Sequence, residues 1–218
     1  MMNLMLDNVS YSYRNASGKA VKNVHCSFAP GVLYAIMGPS GSGKSTLLSM
    51  LAGLDLPTEG DILYGAINLK DLDLDRYRRE DISMIFQSFQ LFPLLTVMEN
   101  VCFPMELNGL NRKKAKIKAE EYLLRVGVTW DKINRLPSNL SGGEQQRVAI
   151  ARSLASGARI ILADEPTGNL DAENADNIMD ILCSLARDDG YCVIVVTHDL
   201  DVAEKANVIY KMRDGILS

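Results

Sequence analysis

The 218-residue chain has few cysteines, and no two of them stand at the spacing of a metal or redox motif. The absence of a C-x-x-C pair excludes the common zinc-binding and thioredoxin-like arrangements. Each cysteine stands among apolar neighbours, so we predict buried, reduced thiols, which suit a cytosolic compartment. The four cysteines are Cys26, Cys102, Cys183 and Cys192.

The chain also lacks a basic excess, a long apolar run and a leader-like N-terminus. Its 27 acidic and 23 basic residues give a net charge of −4, which argues weakly against a nucleic-acid partner. No apolar run approaches the roughly 20 residues needed to cross a bilayer. Because no basic segment precedes an apolar core at the N-terminus, we expect no signal peptide and no direct membrane insertion.

The sequence is organised around a glycine-rich stretch at residues 38–46, which has the spacing G-x-x-x-x-G-K-[ST]. An apolar run enters it, and a helical pattern at residues 45–54 leaves it. Glycines let successive backbone N–H groups converge on an anion, and the following helix directs its positive end at the same point. A glycine-rich turn can match this spacing by accident, but the strand–loop–helix context favours a phosphate loop. The stretch is Gly38-Pro39-Ser40-Gly41-Ser42-Gly43-Lys44-Ser45-Thr46.

The remaining pattern predicts an α/β core with a helical insertion. Alternating residues at 3–13 and 22–28 predict antiparallel strands joined by a turn at 15–18, and residues 61–69 predict a hairpin. Continuous apolar runs separated by helices predict a parallel sheet covered on both faces. We predict core segments at 1–88 and 158–218 and a helical subdomain at 89–157. The predicted helices cover residues 96–103 (ended by Pro104), 112–126, 142–156 and 172–187, and the apolar strands cover 82–86, 159–163, 191–196 and 208–212.

Two further stretches have the composition of a nucleotide hydrolase. The apolar run at 160–163 ends in Asp164 and Glu165; beside a phosphate loop, the first acid suits Mg²⁺ and the second suits a base for water. Acids that follow a strand often have no catalytic role, so the phosphate loop is needed to support this interpretation. Ser141 and Glu144 form a capping box, but a helix start alone does not explain Gly142 and Gly143.

In these motifs the chain resembles an ATP-binding cassette (ABC) ATPase over nearly its full length. The resemblance rests on the phosphate loop, Gln87, the Leu140–Glu144 signature, the acidic strand, the Gly168–Asp171 loop and His198. It implies a P-loop NTPase core of mixed, largely parallel sheet, with an antiparallel β subdomain and an inserted helical subdomain. It also implies ATP and Mg²⁺ as cofactors.

The family resemblance further implies a head-to-tail dimer of two copies with two ATP molecules between them. Each ATP would lie between one chain's phosphate loop, including Lys44, and the other chain's signature. By this analogy Glu165, His198, Gln87 and Lys44 are catalytic, and Ser45, Gln87 and Asp164 bind the metal. The remaining ATP contacts would come from Tyr13, the loop residues Gly38, Pro39, Ser40, Gly41, Ser42, Gly43 and Thr46, the signature residues Ser141, Gly142 and Gly143, and Asp171 at the dimer seam.

One of these assignments has a close competitor. Tyr11 precedes Tyr13 by two residues on the same predicted strand face, and either could be the ring that stacks on adenine. We predict Tyr13. The only tryptophan, Trp130, is interpreted as a packing residue.

Among ABC ATPases, the chain is most similar to the ATP-binding subunits of transporters. Translation-factor types carry two cassettes and DNA-repair types a long coiled coil, and this chain has neither. Residues 95–101 and 164–171 resemble the lipoprotein-releasing, macrolide- or peptide-exporting and cell-division subgroup. The resemblance implies a separate transmembrane permease and a cytoplasmic position on the inner face of the membrane. The C-terminal regulatory domain of many importers is not expected.

The apolar segment at residues 89–95 is the candidate docking surface for such a permease. Its composition, with a phenylalanine at 89 and at 92 and leucines at 91, 94 and 95, is unusual for a loop. Exposed apolar clusters often mark interfaces, whereas the alternative is packing of the helical insertion onto the core. We predict docking.

Overall fold

The computed structural model describes residues 3–14 and 18–218, so residues 15–17 of the predicted turn lie outside the described part. In chain order the elements are β1 (Leu4–Tyr11), β2 (Val21–Phe28), β3 (Leu33–Met37), α1 (Lys44–Leu51), β4 (Glu59–Tyr64), β5 (Ile67–Asn68), α2 (Leu74–Arg76), β6 (Ile82–Phe86), α3 (Val97–Leu107), α4 (Arg112–Arg125), α5 (Gly142–Ala155), β7 (Ile160–Asp164), α6 (Ala172–Asp189), β8 (Cys192–Thr197), α7 (Leu200–Glu204), β9 (Val208–Arg213) and β10 (Ile216–Leu217).

The strands form two sheets, as the sequence predicts. The antiparallel sheet has the order β2-β1-β4-β5, and β1 pairs on both sides, with Leu6 opposite Cys26 and Ile62. The second sheet has the order β10-β9-β3-β8-β7-β6, in which every pairing except β9–β10 is parallel. The fold is therefore α/β with a mixed, largely parallel central sheet.

The central sheet divides the core into two apolar clusters. Along β7, Ile161 and Ala163 pack with α5 and α6, whereas Ile160 and Leu162 pack with α1 and the antiparallel sheet. All six residues of β8 are buried. Because both faces are covered, these strands need continuous apolar runs, which is the pattern that the sequence shows.

The helical part contains α3, α4 and α5, and one predicted boundary is wrong. Pro104 lies inside α3, which continues to Leu107. A proline there removes one backbone hydrogen bond, but burial of Val101 and Met105 in the helical cluster supports the helix across it. The basic run at 112–118 lies on α4 with its charged side chains exposed and Ala115 buried, so it forms a solvated helix face.

Other departures concern short elements and Trp130. The sequence predicts neither α7 nor the helical turns over residues 69–81. Within these turns, buried Tyr77 donates its hydroxyl to Leu51 O at 2.9 Å. Trp130 is 53% exposed in a one-turn helix at Trp130–Lys132, so its interpretation as a packing residue is wrong. Three of the cysteines are buried, and Cys183 is only partly buried.

Within the described ranges, no helix is both long enough and apolar enough to cross a membrane.

Candidate active site

A cavity of about 720 Å³ lies at the carboxyl edge of the central sheet, where open α/β sheets bind ligands. Five parallel strands end at this edge, and four of them are followed at once by a predicted site residue: Gly38 after β3, Gln87 after β6, Glu165 after β7 and His198 after β8. The cavity is lined by Tyr13, Ala20, Pro39, Ser40, Gly41, Gly43, Lys44, Ser45, Thr46, Gln87, Asp164, Glu165 and His198.

The phosphate loop owes its shape to two left-handed glycines. Gly41 has φ +77° and Gly43 has φ +104°, and a Cβ at Gly43 would lie 2.4 Å from Ala20 O. Immediately after Gly43, α1 begins at Lys44, so its first N–H groups face the cavity edge. Lys44 is 7% exposed, and its Nζ donates to Gly38 O at 2.8 Å and Pro39 O at 2.9 Å. The ammonium is thus held within the loop.

Two residues of the predicted phosphate contact set do not line the cavity. Gly38 packs against β9, and a Cβ added at Gly38 would lie 2.1 Å from Met212 O. Ser42 is buried, and its backbone oxygen accepts the Gly215 N–H at 2.9 Å. These residues anchor the loop to the sheet and to the β9–β10 turn, and any direct contact of theirs with phosphate stays a prediction.

The two acids at the end of β7, Asp164 and Glu165, have different environments. Burial raises the pKa of the Asp164 carboxyl above its ordinary value. A hydrogen bond from Ser45 Oγ at 3.5 Å opposes this rise without cancelling it. Glu165 has a left-handed backbone, with φ +49°, which costs about 1–3 kcal/mol in a residue other than glycine. Its Oε1 lies 2.8 Å from His198 Nδ1, and the exposed imidazole stands at the cavity mouth. The strained turn therefore aims the second carboxylate into the cavity beside the histidine.

Gln87 is joined to the loop after Glu165 through Asn169. The Asn169 side chain donates to Gln87 O at 2.9 Å and accepts from Gln87 Nε2 at 3.4 Å. Gly168 permits this approach, because a Cβ there would lie 2.8 Å from Gln87 Nε2. The sequence identifies Asn169 only as part of a motif and gives no signal for its side-chain contacts.

The signature forms a separate surface that does not line the cavity. Ser141 Oγ accepts the Glu144 N–H at 3.3 Å, and Glu144 Oε2 accepts the Ser141 N–H at 2.8 Å, which confirms the capping box. A Cβ at Gly143 would lie 2.3 Å from Asn174 Oδ1, so the glycine permits close contact with the start of α6. Asp171 caps α6 through the Asn174 N–H. The signature and Asp171 thus lie near each other, away from the phosphate loop of their own chain.

The two tyrosines occupy distinct positions. Tyr13 lines the cavity, is 50% exposed, and its hydroxyl lies 2.8 Å from Thr46 Oγ1. Tyr11 donates to Asp55 at 3.2 Å and packs edge-to-face on Tyr13, with ring centroids 5.0 Å apart. This placement favours Tyr13 as the ring available to a ligand and Tyr11 as its support.

A phosphate loop, two acids at the end of β7 and a histidine after β8 surround one cavity. These features define a phosphate-loop nucleotide hydrolase. The family model for ABC transporters matches residues 21–168. The chain is 40% identical to an uncharacterized ABC transporter ATP-binding protein of Mycobacterium tuberculosis, over 98% of this chain and 88% of the relative. It is 44% identical to another from Methanocaldococcus jannaschii, MJ0796, over 97% of this chain and 94% of the relative.

Solved structures give the same result. The dimeric structure of MJ0796 matches with a TM-score of 0.88 and 42% identity over 97% of this chain and 95% of that one. A post-hydrolysis dimer of MJ0796 with ADP and Pi also scores 0.88, at 41% identity over 99% and 97% of the two chains. The cbiO1 protein of Clostridium perfringens, part of the transporter complex cbiONQ, scores 0.90 at 28% identity over 99% and 86%. The chain belongs to the ABC transporter ATP-binding family and is an ATPase.

Proposed function

We propose that two copies of the chain bind ATP head to tail and drive a separate permease from the cytoplasmic face of a membrane. The observation that carries this proposal is the division of the site residues between two surfaces of one chain. One surface is the cavity around Lys44; the other is the signature at Ser141–Gly143 with Asp171 beside it. When two copies are related by a two-fold axis, the cavity of each copy faces the signature of the other, so the dimer has two such sites. The dimeric structures of MJ0796 support the assembly of two copies.

In the proposed reaction a water attacks the γ-phosphorus in line with the bond to ADP. Glu165 takes the proton of this water as the water oxygen bonds to phosphorus and the bond to the ADP oxygen breaks. His198 stands beside Glu165 and contacts the γ-phosphate, and Lys44 and the loop amides stabilise the charge on the phosphates. The signature of the partner copy shields the site, including the attacking water, from bulk solvent.

The residues at the cavity also fit Mg²⁺. Within residues 3–14 and 18–218, no cluster of three or more histidine, cysteine and acidic side chains forms a metal-binding group. Mg²⁺, however, is usually held by one or two protein oxygens together with phosphates and water. The Ser45 hydroxyl, the Asp164 carboxylate and the Gln87 amide line one cavity and supply such oxygens. The ion would neutralise charge on the phosphates.

Among ABC transporters, we propose the subgroup whose permease exports a substrate or transmits force. Residues 95–101 and 164–171 resemble this subgroup. A non-transport ATPase, or an ATPase that regulates cell-division or cell-wall machinery through a permease-like partner, is the alternative. Copurification of a permease with the chain would support the proposal. Isolation of the chain with ribosomes or DNA instead would contradict it.

The proposed docking surface is the exposed part of the segment after Gln87. Leu94 is 88% exposed, and Phe92 is 40% exposed with its ring 4.8 Å from that of Phe103. The loop is pinned by buried Asn100, whose side chain donates to Phe92 O at 3.1 Å and to Leu95 O at 3.0 Å. Leu91 and Leu95 are partly buried, so packing explains one side of the segment and leaves the other side for a partner.

We expect Leu94→Asp to release the permease while leaving the ATPase folded and active, because this side chain contributes little to the core. The measurement is a pull-down with the copurifying permease, alongside thermal melting and basal ATPase activity. Leu54→Asp is the control, since Leu54 is another exposed leucine (56%) outside the segment. A complex unaffected by Leu94→Asp places docking elsewhere.

We expect Tyr13→Ala to weaken ATP and GTP binding together, with GTP within roughly tenfold of ATP in the unmodified chain. Aromatic stacking supplies affinity but reads few hydrogen bonds of the base. Equilibrium binding of fluorescent nucleotide analogues measures both affinities. Unchanged binding in Tyr13→Ala together with a loss in Tyr11→Ala would assign the base contact to Tyr11 and contradict this prediction.

A further inference from the structure

The signature of this chain carries a charged residue, Glu144, that is paired with the linker before it. Lys132 Nζ donates to Glu144 Oε1, while Glu144 Oε2 accepts the Ser141 N–H at 2.8 Å. Both side chains are mostly buried, with exposures of 26% for Lys132 and 17% for Glu144. The Lys132 ammonium, with a smaller contribution from the Ser141 N–H, holds the pKa of the Glu144 carboxyl below its ordinary value. The Glu144 carboxyl is therefore ionised at neutral pH.

The linker that presents Lys132 contacts the first turns of two helices, α3 and α5. Ile133 O accepts the Met98 N–H and Arg135 O accepts the Val97 N–H, each at 2.9 Å, which attaches the linker to the first turn of α3. The adjacent Lys132 side chain contacts Glu144 in the first turn of α5. The backbone that carries Lys132 is thus attached to α3 while its ammonium pairs with α5.

A carboxylate at this position has two opposed effects. It satisfies the helix N-terminus, a task that a neutral glutamine can also perform at the third position of a capping box. It also places a negative charge beside the N–H groups to which the partner's ATP must present its γ-phosphate, and like charges at such range repel. A lysine bound to the carboxylate removes that net charge.

We propose that Lys132 is a positioning residue that neutralises Glu144, so that the signature can accept the phosphate of the partner copy's ATP. The proposal rests on the head-to-tail dimer described above. Lys132 touches no nucleotide and acts through Glu144. The proposal predicts that Lys132 affects ATP-dependent dimerisation only while residue 144 carries a negative charge.

The test is a double-mutant cycle on ATP-dependent dimerisation, performed in full-length Glu165→Gln protein to retain ATP. Sedimentation at several protein concentrations gives the dimer dissociation constant. Lys132→Met should raise that constant about tenfold or more, because an unpaired carboxylate then faces the phosphate. Lys132→Arg should stay within about threefold of the parent, since the charge remains. In a Glu144→Gln background, Lys132→Met should change the constant less than about twofold.

Controls separate charge from folding. Lys113→Met removes an equal charge from the exposed surface of α4 and should leave dimerisation unchanged. Trp130, two residues before Lys132, is the only tryptophan and reports on the linker through its emission spectrum without ATP. The spectrum of Lys132→Met should overlay that of the parent if the linker stays in place.

Two results would overturn the role of Lys132. One is dimerisation of Lys132→Met at the parent's constant. The other is a loss that Glu144→Gln does not reverse, which would assign Lys132 to holding the linker. Failure of the Glu165→Gln parent itself to dimerise would instead reject the head-to-tail proposal, and this inference with it.

Discussion

Replacing Glu165 by Gln is expected to lower kcat about 10²–10⁴-fold, because the amide cannot accept the proton of the attacking water. ATP affinity should stay close to that of the unmodified chain, since Glu165 lies beside His198 and not within the phosphate loop. The variant should accumulate as an ATP-bound dimer. Steady-state phosphate release, nucleotide binding and size-exclusion chromatography with ATP measure the three quantities.

The control for Glu165→Gln is the same exchange at Glu121, an exposed residue of α4, which should not change kcat. His198→Ala provides a second comparison, because it removes the only side chain that hydrogen-bonds the Glu165 carboxylate in the described part of the chain. Turnover of Glu165→Gln at the rate of the unmodified chain would exclude Glu165 as the base.

Ser141→Arg is expected to abolish ATP-dependent dimerisation and to lower activity at least about 100-fold, while monomer affinity for ATP changes little. The bulky cation would occupy the surface that meets the partner's phosphate, and exposed Ser141 does not line its own chain's cavity. Lys44→Ala should behave differently and weaken monomer binding about 10–100-fold, since it removes a charge-assisted contact. Nucleotide titration of the monomers, followed by sedimentation with ATP, distinguishes the two.

Ser141→Ala is the matched control, because it removes the helix cap without adding bulk. The lost cap costs about 1 kcal/mol of stability, so Ser141→Ala should melt slightly earlier. It also loses the predicted phosphate contact of the hydroxyl, and it should dimerise more weakly than the parent but far better than Ser141→Arg. Equal loss of monomer affinity in Ser141→Arg and Lys44→Ala would be incompatible with a signature that serves the other copy.

The parts of the structure that follow from sequence are those in which one physical requirement restricts the residue type. A phosphate loop needs glycine where φ is positive, and Gly41 and Gly43 show this requirement. A strand covered on both faces needs a continuous apolar run, and β8 has one. The capping box at Ser141 and Glu144 is a local pattern that needs no tertiary information. In these places the local pattern and the fold agree.

The remainder depends on contacts between distant residues. Pro104 predicts a helix end, but burial of α3 against its neighbours outweighs that local signal. The pairings of Lys132 with Glu144 and of Asn169 with Gln87 join separate segments, and no spacing rule predicts them. Tyr11 and Tyr13 are equivalent by alternation, and their contacts with Asp55 and Thr46, from distant segments, separate their positions. The sequence identifies Glu165 by its neighbours, but it gives no signal for the left-handed backbone of this residue.

The most direct test of the central claim mixes the two defective variants, Lys44→Ala and Ser141→Arg, each in the Glu165→Gln background. In a head-to-tail pair, one site combines both defects, while the other combines an intact phosphate loop with an intact signature. We predict that neither variant alone retains ATP in a dimer and that the mixture forms a heterodimer with one trapped ATP per two chains. Absence of trapped ATP in the mixture, with the unmixed Glu165→Gln parent trapping two, would contradict a site shared between two copies.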